Sequence, residues 1–435
     1  MNWLFKTILK LNGFPIDLAL VENNNQDITN QYKIQTQKRM DIFEYHLAQN
    51  PFYKKFLDEN NFVFTDWNSI PILNKKDIQK PLNDILSIAK KISDLHVHNT
   101  SGSSGTPFVF AKDKYCHAKG WAYYDQRLLD LGINYGKDLQ ARFYGIPKTG
   151  ISYWKERLKD KLAARVRYPV FDLTDSVLEV ILIDFKKKSF IYINGYTNAI
   201  LLFANFLIRK NLVLKDICNS LKFVIPTSEV CTEIHREIMQ KAFGVPVFIE
   251  YGAAELDIIA MENLSGEFLV NNQTLFVEIL DDNNLPVLPG QTGRVIVTSL
   301  YNEAMPFIRY DLGDRATLGI DSGQVSILQN IVGRTNDTIK LPSGKISPGL
   351  TIYYIVKVLF DGEVKIKEFV FHQDTLVKFR FEYVATDELS ILEKEKINES
   401  MKTYLEDGLV IDFIRKDKLE RTKAGKLKTF VSHIN

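Results

Sequence analysis

Short apolar runs alternate with amphipathic segments in the middle of the chain, between residues 189 and 252. Their order is SFIYING, YTNAILLFANFLIRKN, LKFVIPT, TEIHREIMQKAFG and VPVFIEYG. Apolar runs of strand length joined by amphipathic helices predict a largely parallel sheet with helices on its faces. Ligands of such sheets bind at the carboxyl ends of the strands. The positions where these runs stop, 226–229 and 251–255, are therefore candidate site residues.

The pattern changes after about residue 265. Shorter alternating runs such as TLFVEIL and GRVIVTSL are separated by turn clusters, which predicts a β-rich subdomain over about 265–333. The chain has 435 residues, too many for one ordinary core. Beyond Gly333 the sequence is more charged and mixed α/β in pattern. We therefore expect an α/β protein with a large N-terminal domain over 1–333 and a small α+β domain over 334–435.

The first 60 residues contain two segments with apolar positions at helical spacing. One covers residues 35 to 60. The other, MNWLFKTILKL, is too short to span a bilayer, and Lys6 and Lys10 make it a poor signal peptide. It is either a helix docked on its own domain or a segment in weak contact with a membrane surface through Trp3, Phe5 and the two lysines. We expect no transmembrane segment.

Net charge and cysteine content limit the classes of protein function that we expect. The net charge is +2, which is too balanced for electrostatic binding of nucleic acid. The three cysteines, Cys116, Cys218 and Cys231, have neither metal-ligand nor disulfide-framework spacing. A reducing, cytoplasmic location is therefore expected.

The segment DLHVHNTSGSSG predicts a short strand that enters a loop of small residues. Thr100 to Thr106 contain two glycines and five hydroxyl residues, with no charge and no bulky side chain. Such a loop can present several backbone N–H donors to an anion. It lacks the spacing and the Lys-Ser or Lys-Thr ending of a Walker loop. The alternative is an ordinary surface loop.

Two further clusters combine carboxylates with glycine. In YGAAE, Tyr251 can cover a nucleobase and Glu255 can hold Mg²⁺ through oxygen. The alternative is a plain strand-to-helix connection with Glu255 near a helix N-terminus.

In IRYDLGD, Asp314 at a tight turn can accept hydrogen bonds from two ribose hydroxyls. The alternative there is a turn in which Asp and Gly satisfy backbone needs.

The last two clusters are basic. GRTNDTIKLPSG places Arg334 beside a turn at the expected domain boundary, where a hinge cation could reach a ligand phosphate. RTKAGK, close to the C-terminus, is either a catalytic segment or a solvated basic tail.

Together, in this order and spacing, the five clusters resemble those of the adenylate-forming enzymes, a superfamily of acyl- and aryl-CoA ligases, adenylation domains and luciferases. The sequence is most similar to the phenylacetate–coenzyme A ligase family, in the branch found with capsular-polysaccharide genes. AQNPFYKKF, SIPILNKKDIQ, RYDLGD and FGVPVFIEYGAAE carry this resemblance. It extends over roughly residues 36 to 430.

The resemblance implies a role for each cluster. The ATP site would comprise the β- and γ-phosphate loop, an adenine frame and contacts to ribose and phosphate: Thr100, Ser101, Gly102, Ser103, Ser104, Gly105, Thr106, Ser228, Glu229, Tyr251, Gly252, Ala253, Ala254, Asp314 and Arg334. Glu255 would bind Mg²⁺. Lys426 would reach the substrate carboxylate and the α-phosphate, so the implied catalytic residues are Lys426, Glu255 and Arg334.

The implied reaction has two steps. Attack of a carboxylate on the α-phosphorus of ATP gives an acyl-adenylate, and a thiol then attacks the acyl carbon. The first step needs positioning and cations but no general base, since the acid is already ionised. The resemblance also implies that the small domain is mobile and rotates between the steps about a hinge at Asn336. Coenzyme A or a carrier pantetheine is the expected acceptor; an amine or a sugar hydroxyl remains open.

Some positions depart from the family pattern. Thr106 stands where lysine is frequent, Ala254 where Thr or Ser is frequent, and Asn336 where a charge is common. A catalytically reduced nucleotide-binding or scaffold protein of a polysaccharide assembly system is therefore the alternative function, with a carrier protein as a candidate partner. A third alternative is an acyltransferase that uses a pre-activated donor.

The acid itself would contact the carboxyl ends of three predicted strands. Candidate residues for a small carboxylic or amino acid are Phe143, Tyr144, Gly145, Tyr196 and Thr227. The aromatic members suit an aromatic or short apolar acid. The alternative is that these aromatics belong to the core, because the chain has 28 phenylalanines.

Overall fold

A computed structural model describes residues 1–24, 30–99, 108–145, 150–170, 173–320, 326–334, 338–348, 351–356, 359, 366–421 and 427–434. The chain divides into two compact units. The first comprises Met1–Leu312 with Ala316–Asn330, and the second comprises Gly313–Arg315 with Ile331–Asn435. The expected boundary after residue 333 stays a prediction.

The helices of the described residues are α1 Trp3–Leu11, α2 Ile16–Asn24, α3 Gln31–Gln49, α4 Pro51–Glu59, α5 Lys75–Ile78, α6 Leu82–Ile85, α7 Lys114–Asp130, α8 Gly150–Leu162, α9 Asp175–Lys187, α10 Thr197–Arg209, α11 Leu214–Ile217, α12 Glu233–Phe243, α13 Thr351–Val356 and α14 Ile391–Tyr404.

The strands are β1 Leu73–Asn74, β2 Leu95–Asn99, β3 Val109–Asp113, β4 Gln140–Phe143, β5 Arg165–Tyr168, β6 Tyr192–Tyr196, β7 Phe223–Thr227, β8 Glu250–Ala253, β9 Asp257–Glu262, β10 Phe268–Val270, β11 Leu275–Leu280, β12 Thr292–Ser299, β13 Tyr310–Leu318, β14 Ile327–Arg334, β15 Thr338–Lys340, β16 Ile346–Pro348, β17 Ile366–Gln373, β18 Lys378–Ala385, β19 Val410–Arg415 and β20 Phe430–Ser432.

One large sheet runs through the first unit in the order β11-β12-β13-β14-β10-β9-β8-β7-β6-β4-β5, and β1 pairs with β13. The strands β5, β4, β6, β7 and β8 are parallel, whereas β8, β9, β10 and β14 pair antiparallel. The predicted parallel sheet is confirmed. The region predicted as a β-rich subdomain continues this same sheet, because β9 and β10 connect its strands to the parallel half.

Both faces of the parallel half are covered. All five residues of β6 are buried, as expected for a strand with helices on both sides. One core packs α9, α10 and α12 against the sheet through residues such as Phe185, Phe203 and Phe243. The other packs α1, α2 and α7 against the opposite face, through residues such as Ala118 and Tyr192.

The N-terminal helix docks on its own unit. Phe5 of α1 is buried, with its ring 5.1 Å from Trp121 and 5.2 Å from Tyr135. Phe5 therefore does not contact a membrane surface, whereas Trp3 is 75% exposed. None of the helices in the described ranges is long and apolar enough to cross a bilayer.

The segment 35–60, expected as one helical stretch, forms two helices. Asn50 interrupts it with an extended backbone conformation, and its side chain accepts a hydrogen bond from the Tyr53 backbone N–H at 2.9 Å. Asn50 thus caps α4, and Pro51 at the first position removes one N–H that would lack a partner.

The second unit has its own core. A four-stranded sheet in the order β19-β18-β17-β20 packs against α13 and α14 through residues such as Phe371, Phe381 and Ile397. Helix α14 begins with a capping box, in which Ser390 and Glu393 bond reciprocally to each other's backbone N–H groups. This α+β architecture agrees with the expected fold class.

Candidate active site

The carboxyl ends of β4, β6 and β7 lie side by side in the large sheet, next to the first residue of β8. Phe143 of β4 pairs in register with Gly195 of β6, Tyr196 pairs with Thr227 of β7, and Thr227 pairs with Glu250 of β8. Segments that are more than 100 residues apart in sequence therefore converge here. The predicted acid-binding and adenine-framing residues of the first unit lie at or just beyond these ends.

A glycine allows the strands to approach closely. Gly195 has φ of +158°, and a Cβ atom at this position would lie 2.2 Å from the Phe143 carbonyl oxygen. Any side chain would therefore collide with the backbone of β4.

The aromatic candidate residues occupy two environments, the hydrophobic core and the carboxyl ends of the strands. Phe143 is fully buried and stacks on Phe203, with ring centroids 5.7 Å apart, so its side chain belongs to the core. Tyr144 lies beyond the strand end, with its ring centroid 4.2 Å from that of Tyr196 and its hydroxyl oxygen 3.3 Å from Ser228 Oγ. Burial, followed by the neighbouring Tyr144, raises the pKa of Tyr196, which keeps this hydroxyl protonated.

The loop after β7 is tied to the start of α10. Glu229 accepts a hydrogen bond from the Asn198 backbone N–H through Oε2 at 2.8 Å, and its carbonyl oxygen accepts one from Thr197 Oγ1 at 3.1 Å. A carboxylate at a helix N-terminus is favoured by the helix dipole. Ser228 adopts φ of +68°, which turns the chain sharply at the strand end.

Two side chains near this edge were not among the predicted site residues. Glu250 accepts a hydrogen bond from Thr227 Oγ1 at 2.8 Å, and burial raises its pKa. The guanidinium of Arg142 lies 4.5 Å from the centre of the Tyr144 ring. The sequence could have indicated both residues, because each is a charged residue next to apolar strand residues. A charged side chain that is buried needs a partner or has a function.

The segment YGAAE is a tight β-hairpin between β8 and β9, not a strand-to-helix connection. Ala253 pairs with Asp257, so the three residues 254–256 form the turn. A Cβ atom on Gly252 would lie 2.4 Å from the Asp257 carbonyl oxygen, which explains the glycine at this position. Glu255 therefore occupies the centre of a short, constrained turn.

Glu255 is only 6% exposed. Its Oε1 accepts a hydrogen bond from the Tyr310 hydroxyl at 3.2 Å, and no cationic side chain of the described residues forms an ion pair with it. Mg²⁺ prefers oxygen donors and usually takes one or two carboxylates together with phosphates and water. A carboxylate in the β8–β9 turn, with no cationic partner among the described residues, fits that requirement.

Most of the segment IRYDLGD, from Tyr310 onward, lies in strand β13 and not in the expected turn. Asp314 lies within β13 and is 9% exposed, and the preceding Gly313 has φ of +77°. Arg309 was missed by the sequence interpretation although it lies in the same motif. Its buried guanidinium donates to the Asn68 and Ile70 carbonyls and to Glu278.

Gly145 follows β4, and its carbonyl oxygen accepts a hydrogen bond from Arg167 Nη1 at 3.3 Å. The remaining candidates fall outside the described residues. These are the loop Thr100–Thr106, the hinge residue Asn336 and Lys426. Arg334 ends β14, and only its backbone is described. The structure brings together Tyr144, Tyr196, Thr227, Ser228 and the 251–255 hairpin.

No family model matches this sequence. The chain is 23% identical over 424 residues to the protein CapK of Staphylococcus aureus, covering 93% of this chain and 89% of that protein. It is 22% identical over 334 residues to a phenylacetate–coenzyme A ligase of Thermus thermophilus, covering 72% and 73% of the two chains.

Among solved structures, a crystal structure of 2-hydroxyisobutyryl-CoA ligase in complex with 2-HIB-AMP is similar, with a TM-score of 0.71 and 16% identity, covering 92% of this chain and 89% of that one. The fold is that of the adenylate-forming ligases. The predicted resemblance to this superfamily and to phenylacetate–coenzyme A ligases is confirmed.

Proposed function

We propose that this protein is an adenylate-forming acid–thiol ligase. It would use ATP to activate a small carboxylic or amino acid as an acyl-adenylate and pass the acyl group to coenzyme A or a carrier pantetheine. The observation that carries the proposal is the convergence of Tyr144, Tyr196, Thr227 and the Glu255 hairpin at the carboxyl edge of a parallel sheet. Similarity to phenylacetate–coenzyme A ligases supports the reaction type.

The residues of this edge suit the first step. A carboxylate is already ionised at neutral pH, so the reaction needs orientation and charge stabilisation and no proton abstraction. Tyr144 and Tyr196 form an aromatic surface at the strand ends, and the Ser228 hydroxyl lies beside it. These groups would orient the acid and the nucleotide.

Glu255 would hold the metal ion of the nucleotide. Mg²⁺, when bound, neutralises phosphate charge and withdraws electron density from phosphorus. The Tyr310 hydroxyl fixes one Glu255 oxygen, which limits rotation of the carboxylate. The sequence resemblance assigns Lys426 to the α-phosphate, the Thr100–Thr106 loop to the outer phosphates, Asp314 to ribose and Asn336 to the hinge.

The acid, the final acceptor and the pathway are further parts of the proposal. An aromatic or short apolar acid suits Tyr144 and Tyr196. A cytoplasmic role in surface-polysaccharide biosynthesis rests on the sequence resemblance alone.

The test is acid-dependent pyrophosphate release with MgATP over a broad panel of acids, with hydroxylamine to trap the acyl-adenylate. We expect at least one acid to give a hydroxamate. Lys426→Ala is expected to abolish the product while ATP still binds, and Lys428→Ala serves as a matched control that retains it. ATP binding without a hydroxamate from any acid would contradict the ligase and favour the catalytically reduced nucleotide-binding protein.

A further inference from the structure

Asp257, the residue that pairs with Ala253 across the Glu255 turn, forms an ion pair with a buried lysine. Lys112 of β3 donates a hydrogen bond through Nζ to Asp257 Oδ1 at 2.8 Å. The Lys112 side chain is only 2% exposed. The pair joins β3 to the first residue of β9, two positions after Glu255.

Asp257 is held in an unfavourable backbone conformation. Its φ of +61° lies in the left-handed region, which costs free energy for a residue other than glycine. A conformation of this kind persists when surrounding contacts enforce it. The ion pair with Lys112 is one such contact.

Helix α7 supplies a second contact. A Cβ atom on Gly120 would lie 2.4 Å from Asp257 Oδ2, so the absence of a side chain at Gly120 admits the carboxylate. Asp257 is thereby fixed on one side by a cation and on the other by the helix surface.

Two histidines beside the pair do not compete for Asp257. The rings of His96 and His117 stack with centroids 3.9 Å apart. Burial lowers their pKa values to about 4 and about 3, so both are neutral near pH 7. Trp121 Nε1 donates to His117 Nε2 at 3.1 Å, which accounts for the ring nitrogen that carries no proton.

We propose that Lys112 and Asp257 are positioning residues for Glu255. The ion pair would fix the hairpin turn so that the Glu255 carboxylate faces the metal ion of the bound nucleotide. A buried ion pair contributes little net stability compared with apolar residues, but it can specify one geometry. The inference rests on the proposed function, in which Glu255 binds Mg²⁺.

The experiment measures ATP binding by isothermal titration calorimetry across a Mg²⁺ titration, with EDTA as the metal-free reference. The variants are Asp257→Asn, Lys112→Met and the double variant. Asp160→Asn is the control, because Asp160 is likewise a carboxylate held by buried cationic side chains, those of Arg165 and Arg167, but lies on α8. Thermal melting of each variant is recorded in parallel.

We expect the Mg²⁺-dependent component of ATP affinity to fall about 10- to 100-fold in Asp257→Asn and Lys112→Met, with metal-free ATP binding unchanged. The double variant has no unpaired charge, so its melting temperature should recover while its Mg²⁺ dependence stays weak. Asp160→Asn should lose stability and keep the wild-type Mg²⁺ dependence.

Two results would overturn the positioning role. One is wild-type Mg²⁺ dependence in Asp257→Asn, and the other is an equal loss in Asp160→Asn. Absence of any Mg²⁺ dependence in the wild type would also overturn it. By contrast, a wild type that binds MgATP but gives no hydroxamate with any acid contradicts only the ligase.

Discussion

Glu255 and Glu278 are both buried carboxylates of the first unit, but their hydrogen-bond partners differ. Glu278 of β11 accepts hydrogen bonds from Arg309 Nε at 3.3 Å, Arg309 Nη2 at 3.1 Å and Trp67 Nε1 at 3.1 Å. Glu255 accepts one from the Tyr310 hydroxyl, and within the described ranges no cation pairs with it. Arg309 and Tyr310 are adjacent in sequence, so one short segment serves both carboxylates.

The difference separates a charge that the fold neutralises from one for which the described residues supply no cationic partner. An unpaired buried charge is costly, and a fold normally neutralises it. Arg309 does this for Glu278 and also ties β13 to the Asn68 and Ile70 carbonyls. Among the described residues Glu255 has no such cationic partner, which suits a carboxylate whose counter-charge arrives with a ligand.

The largest expected effect concerns activity at Glu255. Glu255→Gln should lower acid-dependent pyrophosphate release by about 100-fold or more, because under the proposed function it removes the carboxylate that would bind Mg²⁺. Its melting temperature should stay the same or rise, since the variant removes an unpaired buried charge. Glu237→Gln, on the exposed face of α12, is the control and should be unaffected in both assays. Wild-type activity in Glu255→Gln would remove Glu255 from the site.

Glu278→Gln should show the reverse pattern. It leaves the Arg309 charge uncompensated, so the free energy of unfolding should fall by about 3–5 kcal/mol, as measured by urea denaturation. MgATP binding by the folded fraction should match the wild type. Glu278→Gln combined with Arg309→Met should recover part of the stability. Equal stability of the Glu255 and Glu278 variants would break the comparison.

A smaller effect is expected from the hydroxyl of Tyr310. Tyr310→Phe removes a hydrogen bond to a charged group, which is worth about 1.5–3 kcal/mol, so the Mg²⁺-dependent affinity for ATP should fall about 10-fold. Tyr53→Phe is the control, since the Tyr53 hydroxyl is buried without a partner among the described residues. If both variants behave alike, the Tyr310 hydroxyl does not orient Glu255.

The smallest effect is expected at Thr227. Thr227→Val removes the hydrogen bond to Glu250 at the end of β7. The free energy of unfolding should fall by about 1 kcal/mol, with a change in the KM for ATP of less than about fivefold. Thr317→Val, which breaks an exposed bond to Thr292, is the control. A loss of activity as large as that of Glu255→Gln would place Thr227 in direct contact with the reacting groups.

The sequence predicted the elements better than their connections. The strands around 192–196 and 223–227 were recognisable because both faces are buried, which gives continuous apolar runs. The hairpin at 251–257 was not recognisable. Its turn, residues 254–256, contains Ala254 and Leu256, which carry no turn signal, and the conformation depends on contacts that Asp257 makes with β3 and α7.

The same limit applies to the roles of individual residues, because local motifs are visible in the sequence and packing is not. The motif YGAAE identified Glu255 as a candidate ligand, because glycine and a carboxylate at a strand end are local features. No local feature distinguishes Phe143 from Tyr144. Only packing shows that the first lies in the core against Phe203 and the second at the strand ends beside Tyr196.

The sequence by itself determined the α/β class, the parallel order of short buried strands and the identity of the motif residues, because these follow from hydrophobic periodicity and from local composition. Tertiary structure alone decided that β10 pairs with β14, that Arg309 neutralises Glu278 while no cation of the described residues pairs with Glu255, and that Lys112 reaches Asp257. The three pairings join residues from 31 to 145 positions apart, which no local pattern encodes.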